Sequence, residues 1–130
     1  MRRIKTHHDG HGLNDSIDIT ADERDAEKGG NASHYYTVDI PTLPAKEFPG
    51  FGIQFQHGPR GVECSKPGIT EAVLYAMLID RLEGFQAGPF ACPENEDQLV
   101  HLRAALALTR KRADARAEQG VLGKNERHES

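Results

Sequence analysis

The segment 85–95 constrains the fold of this chain more than any other part of the sequence. It contains the pair Gly88-Pro89, which breaks a helix because proline lacks a backbone N–H and glycine costs about 1 kcal/mol in a helix interior. Apolar residues at helical spacing nevertheless continue on both sides, for example Leu82 and Leu99. The sequence therefore predicts a helical hairpin whose turn is packed rather than a flexible linker.

The first predicted helix begins after Thr70, a favourable N-cap, with Glu71 at its positive end. The residues that follow carry one apolar stripe at helical spacing: Val73, Leu74, Met77, Leu78, Leu82 and Phe85. A stripe of this length indicates a helix of about four turns.

The second predicted helix begins at Pro93 or uses Asn95 as its cap, with Gln98 completing a capping box, and it ends at Gly120. Its interior seam repeats at spacings of three and four: Leu99, Leu102, Leu106, Thr109, Ala113 and Arg116. The second half of this seam, Thr109, Ala113 and Arg116, consists of small or charged residues, which do not fill a hydrophobic core. We expect it to leave room for a polar partner.

Alternating apolar residues before position 66 predict three strands, at 17–20, 36–40 and 53–56, in an antiparallel sheet. The fold class is therefore α+β, a small N-terminal sheet followed by a C-terminal two-helix antiparallel hairpin. A length of 130 residues indicates a single domain. Within it we expect a sheet region with a flexible start at 1–66, the hairpin at 67–123 and a disordered tail at 124–130.

Charge and composition exclude several function classes. A net charge of −4 argues against duplex nucleic acid as a partner, since such binding depends on a basic surface. The sequence shows no apolar run long enough for a membrane span and no signal peptide, so we expect a cytoplasmic protein. His7, His8 and His11 are of metal-ligating types, but no second ligand set accompanies them. We predict neither a metal site nor a cofactor.

Several motifs, taken in order, resemble one protein family. They are Phe55-Gln56-x-Gly58-Pro59, Gly68-Ile69-Thr70-Glu71-Ala72, Asp80-Arg81-Leu82, Phe85-Gln86-x-Gly88-Pro89-Phe90-x-Cys92-x-x-Asn95, Arg112-x-x-x-Arg116 and Gly120-Val121-x-Gly123. This pattern resembles the helical-hairpin family of bacteriophage anti-defence sponges, which sequester cyclic nucleotide alarm signals. The preceding strands make the chain more similar to the first Thoeris anti-defence family than to the shorter anti-CBASS sponges.

This resemblance implies a protein that binds a cyclic ADP-ribose isomer in the cytoplasm of the infected host. Cyclic di- and trinucleotides are further candidate ligands, because some members of the family also hold them at separate sites. It also implies a homo-oligomer in which dimers assemble into hexamers. By the same resemblance, Phe85 stacks the base, Asn95 reads base or ribose edges, and Gln86 belongs to their motif. Arg112 and Arg116 lie one helical turn apart, where two guanidinium forks suit a pyrophosphate.

Each of these residues also has a structural interpretation. Phe85 is suited to a core, Asn95 to a helix cap, and Arg112 and Arg116 to a solvated helix C-terminus. The alternative function is an oligomeric protein-interaction module without a small-molecule ligand. An enzyme is less favoured, because no nucleophile accompanied by a base and an orienting acid is evident.

Overall fold

The computed structural model describes residues 1–27, 29–58, 61, 63 and 65–118. The chain forms two compact units, one spanning Met1–Ile69 and the other beginning at Thr70. The first unit contains an antiparallel sheet and the second contains two helices, so the predicted α+β class is confirmed. Within the described residues, no helix has the length and apolar character needed to cross a membrane.

The sheet has four strands in the order β1-β2-β3-β4, and each neighbouring pair is antiparallel. The strands are β1 (Arg2–Ile4), β2 (Asp18–Ala21), β3 (Tyr35–Asp39) and β4 (Phe51–Gln54). The three predicted strands are present with their ends displaced by one or two residues. The sequence analysis did not predict β1, which lies in the start that it expected to be flexible.

Strand alternation gives the sheet one apolar and one polar face. Ile19 pairs with Val38, and Tyr36 lies between Ala21 and Ile53 in the register, so these five side chains share one face. Ala21 is fully buried there. On the opposite face, Arg3 and Asp18 form an ion pair of 2.6 Å.

The chain after β4 is held by residues of two motifs named in the sequence analysis, Phe55-Gln56 and Gly68-Ile69. Phe55 forms a parallel bridge with Ile69, and the Gln56 side chain accepts the Gly68 N–H at 3.2 Å and donates to the Gly58 carbonyl at 2.8 Å. A Cβ on Gly68 would lie 2.7 Å from the Phe55 carbonyl oxygen. Only glycine therefore allows this close backbone approach.

The hairpin consists of α1 (Glu71–Gln86) and α2 (Pro93–Glu118). Thr70 occupies the predicted N-cap position with extended backbone, although its side chain makes no capping hydrogen bond. The prediction that α2 begins at Pro93 is confirmed, and the alternative with Asn95 as the cap is wrong. Proline's fixed φ suits the first helical position, so Asn95 lies inside the first turn.

The apolar stripe predicted for α1 is confirmed in half of its positions. Leu82 is buried, and Leu74 and Phe85 are half-buried, whereas Met77 is 58% exposed and Val73 and Leu78 are also exposed. The less exposed face also includes residues outside the predicted stripe: Ala72, Tyr75, Ile79 and Gln86. Because α1 has apolar residues on more than one side, periodicity alone does not select the packed face.

The seam predicted for α2 is confirmed. Its first and last positions are buried, Leu99 at 2% exposure and Arg116 at 6%. The four positions between them are half-buried. The predicted helix end at Gly120 and the tail at 124–130 lie outside the described residues.

Candidate ligand site at the hairpin turn

Gln86 closes the turn between the two helices. Its Oε1 accepts the Cys92 N–H at 3.0 Å, and its Nε2 donates to the Cys92 carbonyl at 3.0 Å and to Glu96 Oε2 at 3.3 Å. The side-chain amide thus pairs with the Cys92 main chain as a second peptide group would. This arrangement holds the two flanks of the turn together and engages both ends of the Gln86 amide.

Phe85 lies in the last turn of α1 and is half-buried. The guanidinium carbon of Arg81 lies 4.9 Å from the centroid of its ring. The two residues are four positions apart, a spacing that places side chains on the same helix face. Phe85 therefore has a cation over one of its faces, within the distance typical of cation–π pairs.

Asn95 lies on the other flank of the turn, in the first turn of α2. Its Oδ1 accepts a hydrogen bond from Gln98 Nε2 at 3.3 Å. Its Nδ2 donates to no group among the residues that the structure describes. The half-buried amide therefore offers a donor at the same end of the hairpin as Phe85.

The two arginines predicted to bind phosphate differ in their surroundings. Arg112 is exposed, whereas Arg116 is 6% exposed. Of this pair, Arg112 is therefore the guanidinium that the chain presents to solvent.

The structure does not bring all five candidate residues together in one chain. Asn95 and Arg112 lie on the same continuous helix, and their separation of 17 positions along α2 corresponds to about 25 Å. Phe85, Gln86 and Asn95 gather at the turn, while Arg112 and Arg116 lie far along α2. A single ring-shaped nucleotide of the cyclic ADP-ribose type does not span that distance.

A groove of about 590 Å³ lies between α1 and α2. Its lining combines apolar and charged side chains: Leu78, Arg81, Leu82, Glu94, Asp97, Gln98, His101 and Leu102. Arg81 borders this groove and also covers Phe85. The sequence analysis missed Arg81 as a site residue, although its spacing of four from Phe85 was a signal for it.

The histidine-rich segment near the N-terminus is tied to the first unit by hydrogen bonds. A ring nitrogen of His7 lies 2.6 Å from the Ile17 carbonyl oxygen. The N–H groups of Gly10 and Asp9 donate to Asp15 and lower the pKa of its carboxyl. Among the described residues, no three side chains of metal-ligating type form a cluster suited to a metal ion.

A second histidine cluster lies where two loops of the first unit meet. The rings of His34 and His57 stack with centroids 4.2 Å apart, and His57 Nε2 lies 3.2 Å from Asp25 Oδ2. His34 Nε2 also lies 3.0 Å from the Gly29 carbonyl oxygen. These contacts join the connection between β2 and β3 to the segment that follows β4.

Comparison with known proteins supports the family indicated by the motifs. A curated protein named Thoeris anti-defense 1, from Bacillus phage SBSphiJ7, is 33% identical to the chain over 100 residues. The chain is a relative of the Thoeris anti-defence family. The matched region covers 77% of this chain and 66% of the phage protein. No family model matches the chain.

For this Thoeris anti-defence relative, the resemblance inferred from the motifs is confirmed. The structure adds how the turn motif is organised, with Gln86 closing the turn and Phe85 and Asn95 on its two flanks.

Proposed function

We propose that this protein is a phage anti-defence sponge that binds a cyclic nucleotide immune signal and holds it without cleaving it. Its similarity to a protein named for anti-defence activity supports the anti-defence part of this proposal. The ligand we propose is a cyclic ADP-ribose isomer, with cyclic di- and trinucleotides as further candidates.

One observation carries the ligand assignment: the turn closed by Gln86 presents an aromatic ring and an amide donor together. Phe85 and Asn95 lie on the two flanks that Gln86 joins. A cyclic ADP-ribose has a flat base, hydroxyl-bearing sugars and a pyrophosphate with two negative charges. A ring and an amide suit the base and sugars, and guanidinium groups suit the pyrophosphate.

The distance along α2 leads to a site shared by two chains. The turn of one chain and its own Arg112 are about 25 Å apart along the helix, so the ligand's base and pyrophosphate need groups from different chains. We propose that the turn of one hairpin faces Arg112 of the partner chain, the exposed member of the two arginines. A symmetric dimer contains two such sites, and dimers then assemble into a hexamer.

The free energies agree with an enclosed site of this kind. A sponge that competes with a receptor needs nanomolar affinity, or about −12 kcal/mol. Stacking contributes about 1–3 kcal/mol per base and a hydrogen bond to a charged group about 1.5–3 kcal/mol, before the cost of association is subtracted. One ring, one amide and one exposed arginine fall short of that affinity. Additional contacts from a partner chain would supply the remainder.

The alternative function, an interaction module without a small ligand, is favoured by a different observation. Both helices expose large apolar side chains, including Met77 at 58%, Val100 at 57% and Leu108 at 63%. Such residues suit contacts between proteins. They are also compatible with the homo-oligomer that the sponge requires, so ligand binding is the property that separates the two functions.

The test is a depletion and recovery experiment. The protein is incubated with a panel of cyclic ADP-ribose isomers and cyclic oligonucleotides, the free ligand is measured, and the protein is then denatured. We expect one ligand to be depleted and recovered intact. A converted product would indicate an enzyme, and no depletion across the panel would favour the interaction module.

Matched variants locate the site in the same assay. Phe85→Ala and Asn95→Ala should abolish depletion without changing the oligomer mass. Phe90→Ala removes an aromatic side chain that is 73% exposed on the same turn, and it should deplete the ligand as the unaltered protein does. Normal depletion by both site variants would refute the site assignment.

A further inference from the structure

Arg81 is an arginine without a polar partner at the edge of the candidate site. Among the residues that the structure describes, its guanidinium makes no hydrogen bond and no ion pair. This holds although Glu94 and Asp97 line the same groove. Its defined contact is instead with the ring of Phe85, at 4.9 Å from the centroid. The guanidinium therefore lies over an aromatic face rather than beside a nearby carboxylate.

We propose that Arg81 is a positioning residue for base recognition. It covers one face of Phe85, and the ligand's base stacks on the opposite face, so that Arg81, Phe85 and the base form three successive layers. This inference rests on the proposed function, because it concerns the same ligand. It adds a residue that acts through Phe85 and need not touch the ligand.

Two physical effects make this arrangement favourable. A cation on one face of an aromatic ring attracts its π electrons, so the opposite face becomes a better surface for an electron-rich purine. The guanidinium over the ring also limits the rotation of the ring. Less conformational freedom is then lost when the base binds, which improves affinity through preorganisation.

A competing geometry predicts the opposite change in ligand affinity when Arg81 is removed. If the base used the face that Arg81 now covers, the guanidinium would have to leave before the ligand could bind. Removal of Arg81 would then strengthen binding. The sign of the change therefore distinguishes the layered stack from a displaced cover.

The experiment measures the dissociation constant of the cyclic ADP-ribose isomer that the unaltered protein depletes, by calorimetry. Arg81→Met keeps an unbranched side chain but removes the planar cation. It should weaken binding by about two- to fivefold, the range expected for an exposed cation–π contact. Arg81→Lys restores the charge without the planar fork, so its affinity should lie between those of Arg81→Met and the unaltered protein.

Two controls separate positioning from general charge effects. Arg103→Met removes a surface arginine that is ion-paired with Glu83 at 2.9 Å, and it should leave the dissociation constant unchanged. Phe85→Leu lacks the aromatic ring but, unlike Phe85→Ala, keeps a large apolar side chain, so we expect weakened binding that calorimetry still measures. In this background Arg81→Met should have no further effect. Such coupling between two substitutions is the signature of one residue acting through the other.

The outcomes are distinct. Unchanged or tighter binding by Arg81→Met would overturn the role of Arg81 while leaving the proposed function intact. An equal loss with and without the Phe85 ring would also overturn it, because Arg81 would then act directly on the ligand. Failure of the unaltered protein to bind any member of the panel would refute the proposed function and this inference together.

Discussion

Replacement of Gln86 by alanine should destabilise the helical hairpin. The substitution removes two hydrogen bonds of 3.0 Å to the Cys92 main chain, together with a longer exposed one to Glu96. A typical hydrogen bond contributes a net 0.5–1.5 kcal/mol, and alanine's higher helix propensity returns a few tenths, so we expect a loss of about 2 kcal/mol. The loss arises because the Cys92 N–H and carbonyl, at a half-buried residue, are left without this partner.

The assay is urea denaturation followed by helical circular dichroism. Gln86→Ala should lower the transition midpoint with little change in slope, which is the behaviour of a pure stability change. Gln98→Ala is the matched control, because Gln98 is exposed and its amide donates only a 3.3 Å bond to Asn95. It should stay within about 0.5 kcal/mol of the unaltered protein. A change of similar size for both variants would refute the view that Gln86 closes the turn.

The other predictions concern the first unit and one glycine of α1. Gly68→Ala should cost about 1–3 kcal/mol through overpacking against the backbone, whereas Gly84→Ala, with open space around its Cβ, should stabilise α1 by about 0.5–1 kcal/mol in the same denaturation assay. Equal effects would contradict the close approach at Gly68. The N–H groups of Gly10 and Asp9 lower the Asp15 pKa from 3.8. The stabilisation of the folded state by this carboxylate is therefore complete above that value and is lost as the pH falls through the lowered pKa. The Gly10 amide shift, followed by NMR, should therefore titrate with a midpoint below 3.8 and lose that titration in Asp15→Asn; a midpoint at or above 3.8 would contradict the hydrogen bonds.

The sequence predicted the elements of the fold better than their contacts. Alternating residues located β2, β3 and β4, and the Gly88-Pro89 pair located the hairpin turn. The strand β1 escaped prediction because its three residues, Arg2–Ile4, are too few to show alternation. Arg2 also occupies a position on the apolar face, where its register partner is Ala21. Its guanidinium donates a hydrogen bond of 2.8 Å to the Ser33 hydroxyl, so a polar residue stands where the alternating pattern would show an apolar one.

The sequence named candidate site residues but not their geometry. The family resemblance selected Phe85 and Asn95, which lie on the two flanks of the turn, yet it did not reveal that Gln86 uses its amide to close that turn. Spacing along α2 also placed Arg112 and Arg116 one turn apart without indicating that one is exposed and the other buried. Such differences depend on tertiary packing, which a helical repeat does not encode.

The central claim is that two chains share a site that retains an intact nucleotide signal. It is tested most directly by mixing subunits of Phe85→Ala with subunits of Arg112→Ala, each of which should bind no ligand alone. Random pairing makes half of the dimers mixed, and each mixed dimer has one unaltered site of two, so ligand capacity should return to about one quarter of normal. The recovered ligand should be chemically unchanged. A mixture that binds nothing, or that releases a converted product, would contradict the account.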